Sequence, residues 1–166
     1  MRAHDLTPAI RHALTGADYA QARTLFEEYA AWLGVDLCFQ DFADELKGLP
    51  GDYAPPRGRL LLAGPPDATV GCIALRPLSV AGAPEGSVGE VKRMYVRPEG
   101  RGAGVGRALA VALIDEARAI GYRELMLDTL DRLADARRLY ARLGFVERSP
   151  YYHNPLPGVV YMALRL

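Results

Sequence analysis

Arg101-Gly102-Ala103-Gly104-Val105-Gly106-Arg107 is the stretch of this chain whose residue types and spacing most directly specify a chemistry. Alternating glycines let a backbone take φ > 0 and approach a ligand closely. Arginines bracket them, and a guanidinium fork suits phosphate oxygens. An amphipathic helix pattern begins directly downstream, so the unpartnered N–H groups of a helix start fall in the same loop. These residues point to a site for a phosphate-bearing ligand. Two common ligand motifs fail. The dinucleotide fingerprint needs a third glycine where Arg107 stands, and the P-loop needs a Gly-Lys-Ser/Thr ending that is missing here. A nucleotide-binding domain is therefore disfavoured.

Such a loop must be held by a strand before it and a helix after it. Val88–Val96 is an apolar-rich strand pattern that runs into Arg97-Pro98, and Val105–Ile120 is a helix pattern closed by Gly121. Upstream, Ala9–Leu14 is a weak strand candidate. Asp18 precedes a helix whose apolar residues, Tyr19 to Leu33, recur at helical spacing up to Gly34. Leu37–Leu46 reads as a second, shorter helix. Lys47–Gly58 is a loop rich in Gly and Pro. Arg59–Ala63 and Thr69–Leu75 read as a hairpin, and Pro77–Gly86 as irregular. Downstream come a buried strand at Glu124–Thr129, a helix at Leu133–Leu143, a strand from Phe145, a loop over Ser149–Pro157 and a closing strand at Val159–Leu166. The expected fold is a single α/β (α+β) domain spanning 1–166, with a mixed, mostly antiparallel sheet flanked by helices.

Bulk composition narrows the partners. Lys+Arg and Asp+Glu both number 20, so no global basic field calls for nucleic acid. No apolar run approaches the ~20 residues of a membrane span. The N-terminal residues carry no obvious signal peptide, and a soluble, cytoplasmic protein is expected. Cys38 and Cys72 are read as free buried thiols, because a domain of this size needs no disulfide. His4, His12 and His153 are too dispersed for a metal site.

Val91-x-Arg93-Met94-Tyr95-Val96-x-Pro98-x-x-Arg101-Gly102-x-Gly104-x-Gly106 resembles the acetyl-CoA motif of the GCN5-related N-acetyltransferase (GNAT) superfamily. Ala136-Arg137-Arg138-Leu139-Tyr140-Ala141-Arg142-Leu143-Gly144-Phe145 is similar to that family's second signature. The resemblance implies an N-acetyltransferase that uses acetyl-CoA and acts by direct attack of a primary amine, on a small molecule or a peptide. It implies a pyrophosphate cradle over Arg101, Gly102, Ala103, Gly104, Val105, Gly106 and Arg107. It also implies a bulge near Met94-Tyr95-Val96, whose backbone holds the pantetheine arm and the thioester carbonyl.

An ammonium with a pKa near ~10.4 must lose a proton before attack, so a general base is needed. Glu90, on the central strand, is the candidate, either directly or through water. Its alternative is a solvated or salt-bridged strand carboxylate facing Lys92 or Arg93. Tyr140 is the candidate general acid for the leaving thiolate, and its alternative is a core tyrosine. The family's asparagine ahead of the second signature is Leu133 here, so its contact is either absent or made by another residue such as Asp128, Thr129 or Arg137. The acceptor pocket is expected from Gly34–Gly58, Pro77–Gly86 and Ser149–Pro157, where Tyr151 and Tyr152 either line an amine pocket or pack beneath the last strand. Asp41, Asp44 and Glu45 read as a solvated helix face and Trp32 as core. A C-terminal strand at the sheet edge would allow a homodimer. The competing functional class is a catalytically silent CoA-binding sensor or interaction domain, for which an intact Tyr140 and Glu90 are unnecessary.

Overall fold

The computed structural model describes residues 8–166 of the chain; His4 lies outside them. Seven strands form one sheet in the order β1-β2-β3-β4-β5-β7-β6. They are β1 (Ile10–His12), β2 (Arg59–Ala63), β3 (Gly71–Leu78), β4 (Val88–Val96), β5 (Glu124–Leu130), β6 (Val146–Arg148) and β7 (Val159–Arg165). The helices are α1 (Gly16–Leu33), α2 (Phe42–Lys47), α3 (Val105–Ile120) and α4 (Ala134–Arg142). Every strand pair is antiparallel except β4 with β5.

Both faces of the sheet are covered, which is why its central strands read as continuous apolar runs. Leu61, Ile73, Leu75, Val91 and Leu127 pack against Leu109 and Leu113 of α3 and Tyr140 of α4. Their sequence neighbours Leu60, Leu62, Cys72 and Ala74 point the other way, to Ala22, Leu25 and Phe26 of α1. Strand side chains alternate, so one run of leucines serves two cores.

The expected fold holds, with local differences. α1 begins before Asp18. Thr15 is its N-cap, and Asp18 lies in the first turn as the other half of a capping box. The helix expected over Leu37–Leu46 is broken into a 3₁₀ turn at Cys38–Gln40 and α2, because Asp41 adopts the left-handed region (φ 53°). β3 continues through Pro77 to Leu78. Past Leu75 only β4 lies beside it, so a residue without an N–H is tolerated there. The C-terminal strand is not at an edge: β7 lies between β5 and β6, and this removes the edge-strand argument for a homodimer.

Two irregularities in β4 shape the molecule. Its pairing with β3 slips by one residue between Cys72↔Tyr95 and Ala74↔Lys92, so Arg93 and Met94 together oppose Ile73. Arg93 has φ 58°, the left-handed conformation of a bulge. The resemblance implied a bulge at Met94-Tyr95-Val96; its strained residue is Arg93, one step earlier. The Sγ of buried Cys72 donates to the Arg93 carbonyl at 3.3 Å, which gives one bulge carbonyl a partner. On the other side, β4 pairs with β5 only from Val88↔Glu124 to Glu90↔Met126. Beyond that rung β4 stays with β3 and β5 stays with β7, and the sheet splits.

Candidate active site

A cleft of about 500 Å³ opens where β4 and β5 part. One of its walls is the end of β4, the glycine loop and the start of α3. Gly102 (φ 80°) and Gly104 (φ 77°) occupy the left-handed region, and a Cβ added at either meets no atom within 4 Å. Glycine is therefore needed here for backbone conformation, and the space above the loop is open to a ligand. Gly104 is the N-cap of α3 and brings no side chain to the first-turn N–H groups. The Nε of Arg101 donates to the Val96 carbonyl at 2.9 Å, and its guanidinium lies 5.2 Å from the Trp32 ring and 5.9 Å from the Tyr95 ring. Trp32 is thus no core residue; it is 48% exposed and stands at the cleft mouth.

Most of the sequence-derived site residues converge on this cleft. Met94, Tyr95, Val96, Arg101, Gly102, Gly104, Val105, Gly106, Arg107 and Tyr140 line it. Ala103 is exposed and lies off the wall. The Tyr140 hydroxyl reaches the bulge, 3.7 Å from the Met94 sulfur, and its ring packs on Phe145 at 5.5 Å. Burial pushes the Tyr140 phenol well above its ordinary pKa, with smaller contributions from Tyr29 and Asp128, so it carries its proton at neutral pH.

Glu90 does not line the cleft. Its side chain is 2% exposed, and both oxygens are committed. Oε1 accepts from Arg76 at 2.8 Å and Oε2 from the Tyr151 hydroxyl at 2.7 Å. Glu90 is a salt-bridged strand carboxylate, paired with Arg76 and not with the Lys92 or Arg93 that the sequence suggested. Besides Asp135 of α4, which pairs with Arg138, the carboxylate that lines the cleft is Asp128 of β5. Its Oδ2 accepts from the Tyr152 hydroxyl and from Asn154 Nδ2 (2.7 Å). Among the described residues no donor reaches Oδ1. Leu133 is the uncapped N-cap of α4 and faces the cleft beside Thr129, whereas Arg137 turns away to Glu147 at 2.9 Å.

Lys92, Gln40 and Asn154 also line the cleft, and the sequence reading named none of them as a site residue. Lys92 is 5% exposed, and its Nζ donates to Gln40 Oε1 at 3.1 Å. Burial depresses its pKa, partly opposed by Glu90. Gln40 comes from the 3₁₀ turn and Asn154 from the closing loop. A charged residue two positions after Glu90 in an apolar strand was the available signal for Lys92; Gln40 and Asn154 lie in two of the stretches expected to build the acceptor pocket, where local pattern singles out no one residue. Glu45, read as a solvated helix residue, is 12% exposed and pairs with Arg93 at 2.9 Å, which fixes α2 to the bulge. Cys38 is exposed and Cys72 buried, and both are free thiols. Among the described residues no His, Cys, Asp or Glu cluster suits a metal, and no helix is long and apolar enough to cross a membrane.

Comparison with known proteins agrees with this geometry. The pattern of the acetyltransferase (GNAT) family matches residues 19–145. An uncharacterised N-acetyltransferase of Schizosaccharomyces pombe is 42% identical over 150 residues, covering 90% of this chain and 89% of that protein. An aminoglycoside N(6')-acetyltransferase of Stenotrophomonas maltophilia is 35% identical over 133 residues, covering 76% of this chain and 87% of that one. A Salmonella typhimurium protein described as an acetyltransferase, solved with its cofactor acetyl-CoA, superposes with a TM-score of 0.65 at 22% identity over 96% of this chain and 94% of its own. The split sheet and its glycine loop thus fall within a sequence match that covers most of the chain, and the protein belongs to the GNAT acetyltransferase family, as an acyltransferase of the N-acetyltransferase kind.

Proposed function

We propose that the cleft holds acetyl-CoA along the end of β4 and passes its acetyl group to a primary amine that enters from the α1 side. The supporting observation is the abrupt end of β4–β5 pairing after Glu90↔Met126, which opens the sheet between the glycine loop and Asp128. The N–H groups of the loop from Gly102 to Arg107 and the start of α3 take the pyrophosphate. Backbone groups that the bulge releases from the ladder, around Met94, take the pantetheine arm and the thioester oxygen.

Asp128 is the base. Its Oδ2 is held by Tyr152 and Asn154, and Oδ1 is free to accept from the ammonium and remove its proton. The amine nitrogen then attacks the thioester carbon, the C–S bond breaks, and the thiolate leaves. The Tyr140 hydroxyl, kept protonated by burial, donates to the leaving sulfur. Glu90 acts at one remove: it fixes Tyr151, whose ring lies 5.3 Å from that of Tyr152.

The test is thiol release from acetyl-CoA across a panel of primary amines. Release that depends on both substrates is expected. Tight CoA binding without release for any amine would instead mark a CoA-binding module without transfer activity.

A further inference from the structure

Lys92 stands out among the charged side chains of the cleft. Its ammonium is buried, faces the cavity, and has one described partner, the neutral oxygen of Gln40. Among the described residues no carboxylate lies within 4.0 Å of it, whereas Arg76, Arg93 and Arg97 each have one. A buried cation without a direct ion-pair partner is costly, and the carboxylates of Glu90 and Asp128 act on Lys92 only through space. A direct partner would have to come through the cleft.

The position of Lys92 says what that partner is attached to. Lys92 pairs across the ladder with Ala74, so it points to the α1 face, away from α3. It lies two residues beyond the last β4–β5 rung, Glu90↔Met126, and Asp128 lies two residues beyond the same rung on β5. Strand side chains two apart share a face. The cation and the carboxylate therefore stand on the two lips of the split, on one face. A polar chain runs between them: Lys92 Nζ to Gln40 Oε1 (3.1 Å), Gln40 Nε2 to the Tyr152 hydroxyl (3.2 Å), and that hydroxyl to Asp128 Oδ2.

We infer that the acceptor is a primary amine that also carries a carboxylate, a compound of amino-acid type, with its ammonium on Asp128 and its carboxylate on Lys92. This rests on the proposed acetyl transfer and names the substrate class for it. It also separates this chain from an enzyme built for a polycation, because a buried lysine on the acceptor lip repels a second ammonium.

The experiment compares amino acids with their own carboxamides as acceptors, read as thiol release from acetyl-CoA, for the unaltered protein and for Lys92→Met. Methionine keeps the side-chain volume and removes the buried charge, and retained CoA binding checks the fold. The free acids should exceed the amides in kcat/KM, and Lys92→Met should reduce that acid-to-amide ratio about ten- to a hundredfold, the worth of one hydrogen-bonded charge. Taking the ratio cancels differences in amine reactivity. In the unaltered protein, short carboxylic acids lacking an amine should compete with the acceptor, and the matching amides should not. Amides as good as acids would overturn the inference. So would loss of turnover on acids and amides alike in Lys92→Met with CoA binding intact, which would make Lys92 part of the chemistry. Thiol release that no amine raises above the amine-free rate would sink acetyl transfer itself and this inference with it; turnover of amines without regard to a carboxylate would sink only the inference.

Discussion

The two walls of the cleft are built on different plans. The wall proposed for the cofactor is nearly continuous in sequence, from Met94 through Arg107, with Tyr140 added from α4, and much of it is backbone in conformations that glycine permits. The wall proposed for the acceptor is assembled from Gln40, Lys92, Asp128 and Asn154, which four separate segments bring together, and it offers side chains. A ligand common to a whole family can be met by main-chain groups, whose geometry depends little on side-chain identity. A ligand that distinguishes one enzyme from another needs side chains, and these can change without disturbing the loop.

That contrast can be broken or sharpened by mutation. Asp128→Asn should lower kcat about 10²–10⁴-fold while CoA affinity stays near its original value. Glu90→Gln should cost under about tenfold, and steady-state kinetics showing the reverse order would return the base to Glu90. Glu45→Ala removes the counter-charge of buried Arg93 and should cost about 3–5 kcal/mol of stability, seen as a Tm lower by roughly 6–20 °C. An unchanged Tm would mean the acceptor wall is not tied to the bulge in this way. Tyr140→Phe should reduce kcat roughly 10–100-fold with the KM for acetyl-CoA little changed, since it removes one donor used at the leaving step; equal kcat in both proteins would leave Tyr140 as a packing residue. Gly104→Ala forces a side chain into φ 77°, a strain of about 1–2 kcal/mol. Titration calorimetry should then show CoA binding weakened about tenfold, and unaltered affinity would place the pyrophosphate elsewhere.

The same contrast explains what the sequence revealed. The strand over Val88–Val96, the glycine loop and the helix over Val105–Ile120 were legible with their boundaries, because apolar periodicity and glycine are local signals and the cofactor wall is local. The break at Asp41 was not, since its left-handed backbone is stabilised by what Gln40 and Glu45 reach across the fold. The reading of Glu90 stopped between two roles because sequence does not show that Arg76 and Tyr151 take up both its oxygens. Asp128 was noticed only as a stand-in for a cofactor contact, because its standing as the cleft carboxylate depends on the closing loop folding back with Tyr152 and Asn154. Trp32 kept helical spacing like its buried neighbours, yet that spacing carried it past the end of the core to the cleft mouth.

The extra residue in β4 also works as a frame shift. Before it, even-numbered side chains face α1, as Lys92 does opposite Ala74, and odd-numbered Val91 faces α3. After it the parity is exchanged: Tyr95 turns to the α1 side, and Met94 and Val96 turn to the α3 side. A regular strand would present the same alternation along its whole length. With Arg93 absorbed in the bulge, Met94 and Val96 lie on the α3 surface, whereas strict alternation through all nine residues would put them on the α1 surface with Lys92. Deleting Arg93 would leave Lys92 on the α1 side and Met94 and Val96 on the α3 side, but it would close the slip in the β3–β4 ladder and remove the ion pair with Glu45 that ties α2 to the strand.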